Sequence, residues 1–398
     1  MEDQNKVTAD LADKYLFQTY SRFPISLIRG QGCRVWDENG KEYLDFVGGL
    51  AVCALGHSSP LVTRTLEEQS KLLVHVSNLY YTRPQAELAR LLIENSFADR
   101  AFFCNSGAEA NEAAIKLARR YTREKFGPGR HMIISMTNSF HGRTMATLSA
   151  TGQNKIRIGY DPLLEGFRFV AFNDLPSLEG AVDGSVCAVM LEPIQGEGGV
   201  VCPHADYLKG VSEICKKHDL LLIFDEVQVG MGRTGRLFAH EHFGVRPHIM
   251  TLAKALGNGL PIGAMLSIEE LSSAFGPGSH ATTFGGTPLV TAVATAVLKV
   301  LLEGSLITHC QEVGDYFKRK LEELAKRFDF VKEVRGLGLI LGMELDRAGA
   351  PVVNACMEKG FLINCAQEKV LRFIPPLVVE KDEVDRLVEA LHEIFGAM

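Results

Sequence analysis

The sequence has no paired cysteines, no basic block and no long apolar run. Its nine cysteines are scattered over 398 residues without CxxC pairs or histidine-rich spacing, which argues against a disulfide or zinc framework. The formal net charge of −6 is spread along the chain, so we expect no nucleic-acid partner. These absences favour a protein with reduced thiols.

Segments typical of membrane proteins and of exported proteins are also missing. Residues 1–14 are polar and of mixed charge, unlike a signal peptide. The most apolar later stretch, 288–302, contains Lys299 and is too short and too polar to span a bilayer. We therefore expect a cytoplasmic protein with no membrane partner.

Short apolar runs that alternate with amphipathic stretches predict an α/β fold. The spacing of Ala110, Ala113, Ala114, Leu117 and Ala118 is helical, and residues 207–218 behave similarly. Nearly unbroken apolar strands favour a mostly parallel sheet covered on both faces. The candidate strands are 101–104, 132–135, 167–172, 186–191, 220–224, 249–252 and 262–267.

The composition of the two ends predicts a second, smaller domain. Residues 27–47 contain short β-like pieces around a turn at Asn39-Gly40, and 306–398 mix helices with strand-like runs at 338–345, 360–364 and 370–373. We predict a large domain over 58–302 and a smaller α+β domain built from 1–57 and 303–398. A cleft between two domains is where a ligand site is expected.

Lys254 is the strongest chemical signal. It lies among small and apolar residues with no carboxylate nearby in the chain, downstream of Asp225, which ends the apolar run 220–224. A secluded lysine and a strand-end acid are the groups that a pyridoxal 5'-phosphate (PLP) enzyme needs. The lysine forms a Schiff base, and the acid keeps the pyridine nitrogen protonated. Taken alone, Asp225 is equally well placed to cap the next helix.

Five further motifs each allow two interpretations. The turn before Gly107 is a phosphate site or an ordinary helix cap. Phe140 and Arg143 cover a ring and clamp a carboxylate, or they lie in a plain loop. The turn flanked by Glu192 and Glu197 allows close backbone approach, or it is a plain turn with solvated acids. The hydroxyls of Thr282 and Thr283 donate to a phosphate, or they cap the helix that begins near residue 288. The strand-end Arg372 is a carboxylate binder or a surface residue.

The motifs together resemble one family. Their order along the chain is similar to that of the class III (subgroup II) PLP-dependent aminotransferases of fold type I, from residue 20 to the end. The matching segments are SGAEA (106–110), SFHGRT (139–144), EPIQGEGG (192–199), FDEVQ (224–228), GRTG (232–235), AKALGNGLPIGA (253–264), TTFGG (282–286) and RFIPPL (372–377). Asn258 and Thr287 depart from the usual glycine and asparagine, which leaves the chemistry intact.

The resemblance implies the roles of cofactor-binding residues. Lys254 forms the link to the cofactor and later moves the proton, while Asp225 pairs with the ring nitrogen. Gln228 approaches the phenolic oxygen and Phe140 stacks on the ring. The remaining cofactor-binding positions are Ser106, Gly107 and Ala108 at the phosphate, Val227 beside Asp225, and Glu192, which supports the site.

The resemblance also implies a homodimer with shared active sites and two alternating substrates. Thr283 contacts the phosphate of the partner subunit's cofactor, and Thr282 neighbours the substrate there. Arg143 binds the α-carboxylate of the amino donor, Arg372 binds that of 2-oxoglutarate, and Glu197 masks Arg372 when the donor is bound.

The sequence leaves the amino donor open. Tyr20-x-Arg22-Phe23-Pro24 and the segments 43–46 and 55–57 are similar to the acetylornithine branch of the class. The alternatives are succinyldiaminopimelate, succinylornithine, ornithine, 4-aminobutyrate or LysW-lysine. An aminomutase or decarboxylase on the same scaffold would not consume 2-oxoglutarate. A non-catalytic dinucleotide-binding protein would need a GxGxxG after the first strand, and none is present.

Overall fold

A seven-stranded sheet forms the centre of the molecule. The computed structural model describes residues 3–398. Neighbouring strands are parallel from Ile249–Leu252 to Phe167–Val170, whereas Gly263–Ser267 is antiparallel to both of its neighbours. The strand order is Arg100–Cys104, Gly263–Ser267, Ile249–Leu252, Leu221–Asp225, Val186–Leu191, Met132–Met136 and Phe167–Val170. The predicted α/β class and all seven predicted strands are confirmed, with small shifts at their ends.

Helices cover both faces of this sheet. Ala188 and Ile223 belong to an apolar cluster with the helix Gly107–Phe126 on one face. Val189 and Leu222 belong to another with the helix Tyr207–Lys217 on the opposite face. Because successive strand residues point to opposite faces, a strand buried on both sides must be apolar throughout. This explains why unbroken apolar runs predicted these strands.

The two ends of the chain meet in a smaller sheet. The strands Leu27–Gln31, Arg34–Asp37 and Glu42–Asp45 form an antiparallel meander, and Phe361–Leu362 pairs with the last of them in parallel. The expected turn at Asn39-Gly40 joins two of these strands. This pairing is what a unit built from both ends requires, while the domain limits at residues 57 and 302 stay a prediction.

The C-terminal region forms a further, antiparallel sheet, which was not predicted as distinct from the sheet that joins the two ends of the chain. Its strand order is Val331–Leu337, Ile340–Leu345, Val370–Phe373 and Asn364–Ala366. The strand Val331–Leu337 was not predicted, because its sequence VKEVRGL carries three charges and leaves several side chains exposed. The predicted strand 338–345 is shorter, since Gly338 lies in the turn before Ile340.

The remaining helices surround these sheets. They are Gln4–Tyr15, Gly48–Ala51, Pro60–Ser70, Arg83–Glu94, Met145–Ala150, Leu175–Gly180, Pro288–Glu303, Leu306–Ala325, Ala350–Glu358 and Lys381–Gly396, with short 3₁₀ turns at Asn154–Ile156, Ala239–Phe243, Lys254–Leu256 and Glu269–Phe275. Within residues 3–398, no single helix is long and apolar enough to cross a membrane. One pair of consecutive helices has the length and composition of a membrane span when taken together, but the two helices are bent by 68° at the break between them.

Candidate active site

A cavity of about 480 Å³ opens at the carboxyl end of the strand Leu221–Asp225. Parallel α/β sheets place their ligands at this edge. The cavity brings together most of the residues that the sequence analysis singled out. Those that line it are Gly107, Ala108, Phe140, Arg143, Glu192, Glu197, Asp225, Val227, Gln228 and Lys254.

Lys254 is the amine of this cavity. It begins the turn Lys254–Leu256 that follows the strand Ile249–Leu252, and its backbone lies in the left-handed region at φ 45°. Burial lowers the pKa of its amine, with Glu197 opposing this shift and Arg372 adding to it. A lysine in this setting is more readily neutral, and therefore nucleophilic, than a surface lysine.

Asp225 is the buried carboxylate opposite this amine. Its Oδ2 accepts hydrogen bonds from Asn111 Nδ2 at 2.7 Å and from His141 Nδ1 at 2.8 Å. Its Oδ1 accepts one from the backbone N–H of Val227 at 3.0 Å. Three donors thus hold this one carboxylate in place, and Oδ1 keeps a free lone pair on a residue that lines the cavity.

The N-terminus of the helix Gly107–Phe126 forms another part of the wall. Ser106 caps this helix by accepting a hydrogen bond from the backbone N–H of Glu109 at 3.1 Å. Gly107 and Ala108 line the cavity, and the first N–H groups of a helix have no partner within it. With the positive end of the helix dipole, they make an anion site. Both interpretations of this turn therefore apply, because Ser106 caps while its neighbours face the cavity.

Arg372 lies behind the cavity wall and forms an ion pair with Glu197, which lines the cavity. Arg372 Nη1 lies 2.6 Å from Glu197 Oε1, and the arginine side chain is only 2% exposed. Gln228 bridges the pair, with its Nε2 at 3.2 Å from Glu197 Oε1 and its Oε1 at 3.3 Å from Arg372 Nη1. Burial alone would raise the pKa of Glu197, but the adjacent Arg372 holds this pKa below its ordinary value. Arg372 is thus a buried cation and not a surface residue.

One side of the cavity is formed by the loop that carries Phe140 and Arg143 and by the turn that begins at Glu192. Glu192 accepts hydrogen bonds from the backbone N–H groups of Phe140 and Gly196, each at 3.0 Å. Burial raises the pKa of Glu192 to about 7. Arg143 is exposed, and its guanidinium carbon lies 5.7 Å from the centroid of the Phe140 ring. Glu192 thereby fixes the loop that carries Phe140.

Thr282 and Thr283 lie outside the cavity of their own chain. Thr282 Oγ1 accepts a hydrogen bond from Asn105 Nδ2 at 3.1 Å, and Asn105 lines the cavity. Thr283 is exposed on the loop that precedes the helix Pro288–Glu303. Their assignment to a partner subunit's site stays a prediction.

The sequence analysis missed two residues that hold Asp225. His141 and Asn111 both donate to Asp225 Oδ2, and both are almost fully buried. His141 lies inside the segment SFHGRT and Asn111 directly follows the segment SGAEA, so a signal was present. Their role was hidden because contact with Asp225 depends on how distant elements meet in the fold.

The cavity fits the PLP that the motifs predict. The fit rests on the chemistry of the groups present: an amine with a lowered pKa, a buried carboxylate with a free lone pair, a helix N-terminus and an aromatic ring. These groups suit, in turn, an aldehyde, a pyridine nitrogen, a phosphate and a planar ring. Lys254, Asp225, Gly107, Ala108 and Phe140 would therefore hold the cofactor.

Comparison with known proteins gives a consistent result. Residues 15–395 match the family model of the class-III aminotransferases. The chain is 52% identical to an acetylornithine aminotransferase from Methanocaldococcus jannaschii over 97% of both chains. It is similar in structure to the ornithine aminotransferase of Toxoplasma gondii, with a TM-score of 0.96, 34% identity and coverage of 100% of this chain and 96% of that one. The N-acetylornithine aminotransferase of Stenotrophomonas maltophilia matches with a TM-score of 0.84, 39% identity and 98% coverage of both chains.

Proposed function

Since this chain belongs to the class-III aminotransferase family, we propose that it is a PLP-dependent acetylornithine aminotransferase. The reaction converts N2-acetyl-L-ornithine and 2-oxoglutarate into N-acetyl-L-glutamate 5-semialdehyde and L-glutamate, a step of L-arginine biosynthesis. It runs as a ping-pong exchange, because one site must release the first product before it accepts the second substrate.

The observation that carries the proposal is the Arg372–Glu197 ion pair at the wall of the cavity that contains Lys254. The donor reacts at its δ-amine, so no carboxylate is attached to the reacting carbon. The acceptor, 2-oxoglutarate, reacts at a carbon that bears one. A cation that is masked for the first substrate and unmasked for the second lets one cavity serve both.

The other side chains supply orientation and proton transfer. When bound, PLP would supply an aldehyde that carries the amino group from donor to acceptor and a ring that withdraws electrons. The neutral amine of Lys254 removes and returns the proton at the substrate carbon that carries nitrogen. Arg143, at the rim, binds the α-carboxylate of acetylornithine, and Arg372 binds that of 2-oxoglutarate after Glu197 moves away. Asp225 presents its carboxylate to the ring nitrogen.

We further propose that the enzyme is a cytoplasmic homodimer with shared active sites. Several large apolar side chains are exposed, among them Leu72, Leu79, Tyr81 and Phe284. Phe284 adjoins Thr282 and Thr283, so a second copy that covers this surface would bring both hydroxyls toward the partner's site. All nine cysteines lie within the described residues and carry free thiols, as expected in a reducing compartment.

Steady-state kinetics with purified enzyme and added PLP test the proposal. Initial rates measured against N-acetylornithine at several fixed concentrations of 2-oxoglutarate should give parallel double-reciprocal lines, with equal amounts of glutamate and semialdehyde. Failure to form glutamate from this pair would refute the assignment. Formation of glutamate from 2-oxoglutarate with ornithine as donor, but not with N-acetylornithine, would keep the chemistry and change the donor. The likeness to the Toxoplasma gondii enzyme favours this alternative.

A further inference from the structure

Asp225 is held by a chain of side-chain hydrogen bonds that begins outside the cavity. Thr251 Oγ1 donates to Asn111 Oδ1 at 2.7 Å. Asn111 Nδ2 donates to Asp225 Oδ2 at 2.7 Å and to the backbone carbonyl of His141 at 2.8 Å. His141 Nδ1 completes the set at 2.8 Å from Asp225 Oδ2. The carboxylate that faces the cofactor is thereby linked to a threonine on the neighbouring strand.

The hydroxyl of Thr251 holds the Asn111 amide through its oxygen. An amide nitrogen only donates and an amide oxygen only accepts. With both hydrogens of Asn111 Nδ2 directed at oxygen acceptors, its Oδ1 is left facing Thr251. A flipped amide would place Oδ1 against the Asp225 carboxylate and the His141 carbonyl, where two oxygens repel each other. These two acceptors therefore fix the orientation of the amide, and the Thr251 hydroxyl satisfies the oxygen that is left, because a buried polar group without its partner is costly.

The position of Thr251 leaves it few alternative partners. It is fully buried in the strand Ile249–Leu252, in register with Asp225 on the next strand. Its backbone carbonyl accepts a hydrogen bond from the N–H of Glu226 at 3.0 Å, which fixes the threonine relative to Asp225. The side chain is outside the cavity lining, so it acts through Asn111 and not through contact with a ligand.

We propose that Thr251 is a positioning residue for this reaction: by holding the Asn111 amide against Asp225 it keeps that carboxylate in place, with Oδ1 available to the ring nitrogen of PLP. The inference rests on the proposed function, because it assigns a task to Asp225 within that chemistry. His141 contributes the second donor, and its Nε2 is buried without a hydrogen-bond partner among the described residues. The network therefore ends at this ring.

The test replaces Thr251 with valine, which keeps the side-chain shape and removes the donor. The variant is reconstituted with PLP labelled with ¹⁵N in the ring, and the ring nitrogen is observed by NMR. We expect its resonance to move toward that of the unprotonated nitrogen. We also expect kcat to fall by about tenfold, as for the loss of one hydrogen bond in a charged network, with little change in either KM. Thr251→Ser keeps the hydroxyl and should show the wild-type ring-nitrogen resonance and the wild-type kcat.

A matched control is available in the helix Pro288–Glu303. Thr295 is buried and its hydroxyl has no hydrogen-bond partner among the described residues, so Thr295→Val loses no hydrogen bond and should leave the nitrogen resonance and kcat unchanged. Circular dichroism verifies that each variant is folded. If Thr251→Val does not fold, Thr251→Ala removes the same donor and predicts a change in the same direction.

The outcomes separate this inference from the proposed function. A folded Thr251→Val enzyme with wild-type ring-nitrogen resonance and wild-type kcat would overturn the role of Thr251, while the aminotransferase activity would stand. A wild-type protein that binds PLP but does not convert N-acetylornithine would overturn the proposed function. The NMR comparison would still decide whether Thr251 controls the protonation of the ring.

Discussion

Glu197 Oε1 lies 2.6 Å from Arg372 Nη1, which places a masked cation at the wall of the cavity that contains Lys254. Gln228 contacts both members of the pair, so the carboxylate can leave the arginine without losing every polar neighbour. An ion pair of this kind is well suited to exchange, because an incoming substrate carboxylate offers Arg372 the same charge and geometry that Glu197 offers.

Removing the mask should separate the two half-reactions. In Glu197→Gln, Arg372 stays unpaired and disfavours a substrate that has no carboxylate at the reacting carbon. We expect kcat/KM for N-acetylornithine to fall by roughly tenfold or more, while kcat/KM for 2-oxoglutarate is kept or rises. Rapid-mixing kinetics of each half-reaction measure both values. An equal loss for both substrates would show that Glu197 does not act as a switch.

Arg143 should determine affinity for the amino donor. Its exposed guanidinium lies at the rim over Phe140, where a bidentate pair with a carboxylate can form. Arg143→Met should raise KM for N-acetylornithine by roughly ten- to a hundredfold with a small effect on kcat, and Arg143→Lys should recover part of the loss. Arg64→Met, at an exposed position on the helix Pro60–Ser70, is the control. An unchanged KM in Arg143→Met would remove this arginine from the substrate site.

Lys254 should be needed for turnover and not for retention of the cofactor. The phosphate site at Gly107 and Ala108 and the partner of the ring nitrogen, Asp225, are independent of the lysine side chain. Lys254→Ala should therefore still bind PLP, while turnover falls by roughly 10²- to 10⁴-fold, the usual contribution of a proton-transfer group. Equilibrium dialysis and steady-state rates measure the two effects. Full activity in this variant would contradict the proposed mechanism.

The stability of the apoprotein should report the lowered pKa of Lys254. Burial disfavours the charged amine in the folded state, whereas the unfolded chain takes up a proton as soon as the pH falls below the ordinary lysine pKa. The destabilisation is absent above that pKa, grows as the pH falls toward the lowered pKa of the folded protein, and is constant below it. Lys254→Met removes this effect, so its advantage in melting temperature over wild type should increase from about pH 10 downward. A difference independent of pH would show that burial does not perturb this amine.

The quaternary structure can be tested through Thr283. Light scattering should give twice the 43.7 kDa mass of the chain. Thr283→Val should weaken PLP binding by about tenfold without changing that mass, because the hydroxyl serves the partner's site. Thr63→Val, at an exposed threonine on the helix Pro60–Ser70, should change neither property. A monomer with full PLP affinity would contradict the shared site.

Prediction from the sequence agrees best with the structure where a segment consists only of apolar residues. Val186–Leu191 is entirely apolar and entirely buried, so a strand there could be predicted from the sequence alone. Val331–Leu337 has the sequence VKEVRGL, in which charged and apolar residues do not alternate regularly, and its pairing with Ile340–Leu345 depends on long-range packing. Local patterns thus predict the core sheet better than the outer one.

The same limit applies to the site. Lys254 and Asp225 stand out because each has unusual neighbours in the sequence. Asn111 and His141 do not, since the first lies on a helix, the second in a loop, and both reach Asp225 only after the elements meet. The contact between Thr251 and Asn111 spans 140 positions of the chain, and no pattern in either segment predicts it.

The most direct test is a single-turnover absorbance measurement. The PLP form of the enzyme is mixed separately with N-acetylornithine, ornithine, succinyldiaminopimelate and 4-aminobutyrate, and the change to the pyridoxamine form is followed. The account predicts fast conversion by N-acetylornithine and slow conversion by ornithine. Faster conversion by ornithine or 4-aminobutyrate would contradict the proposed donor, and a protein that shows no cofactor absorbance with added PLP would contradict the whole account.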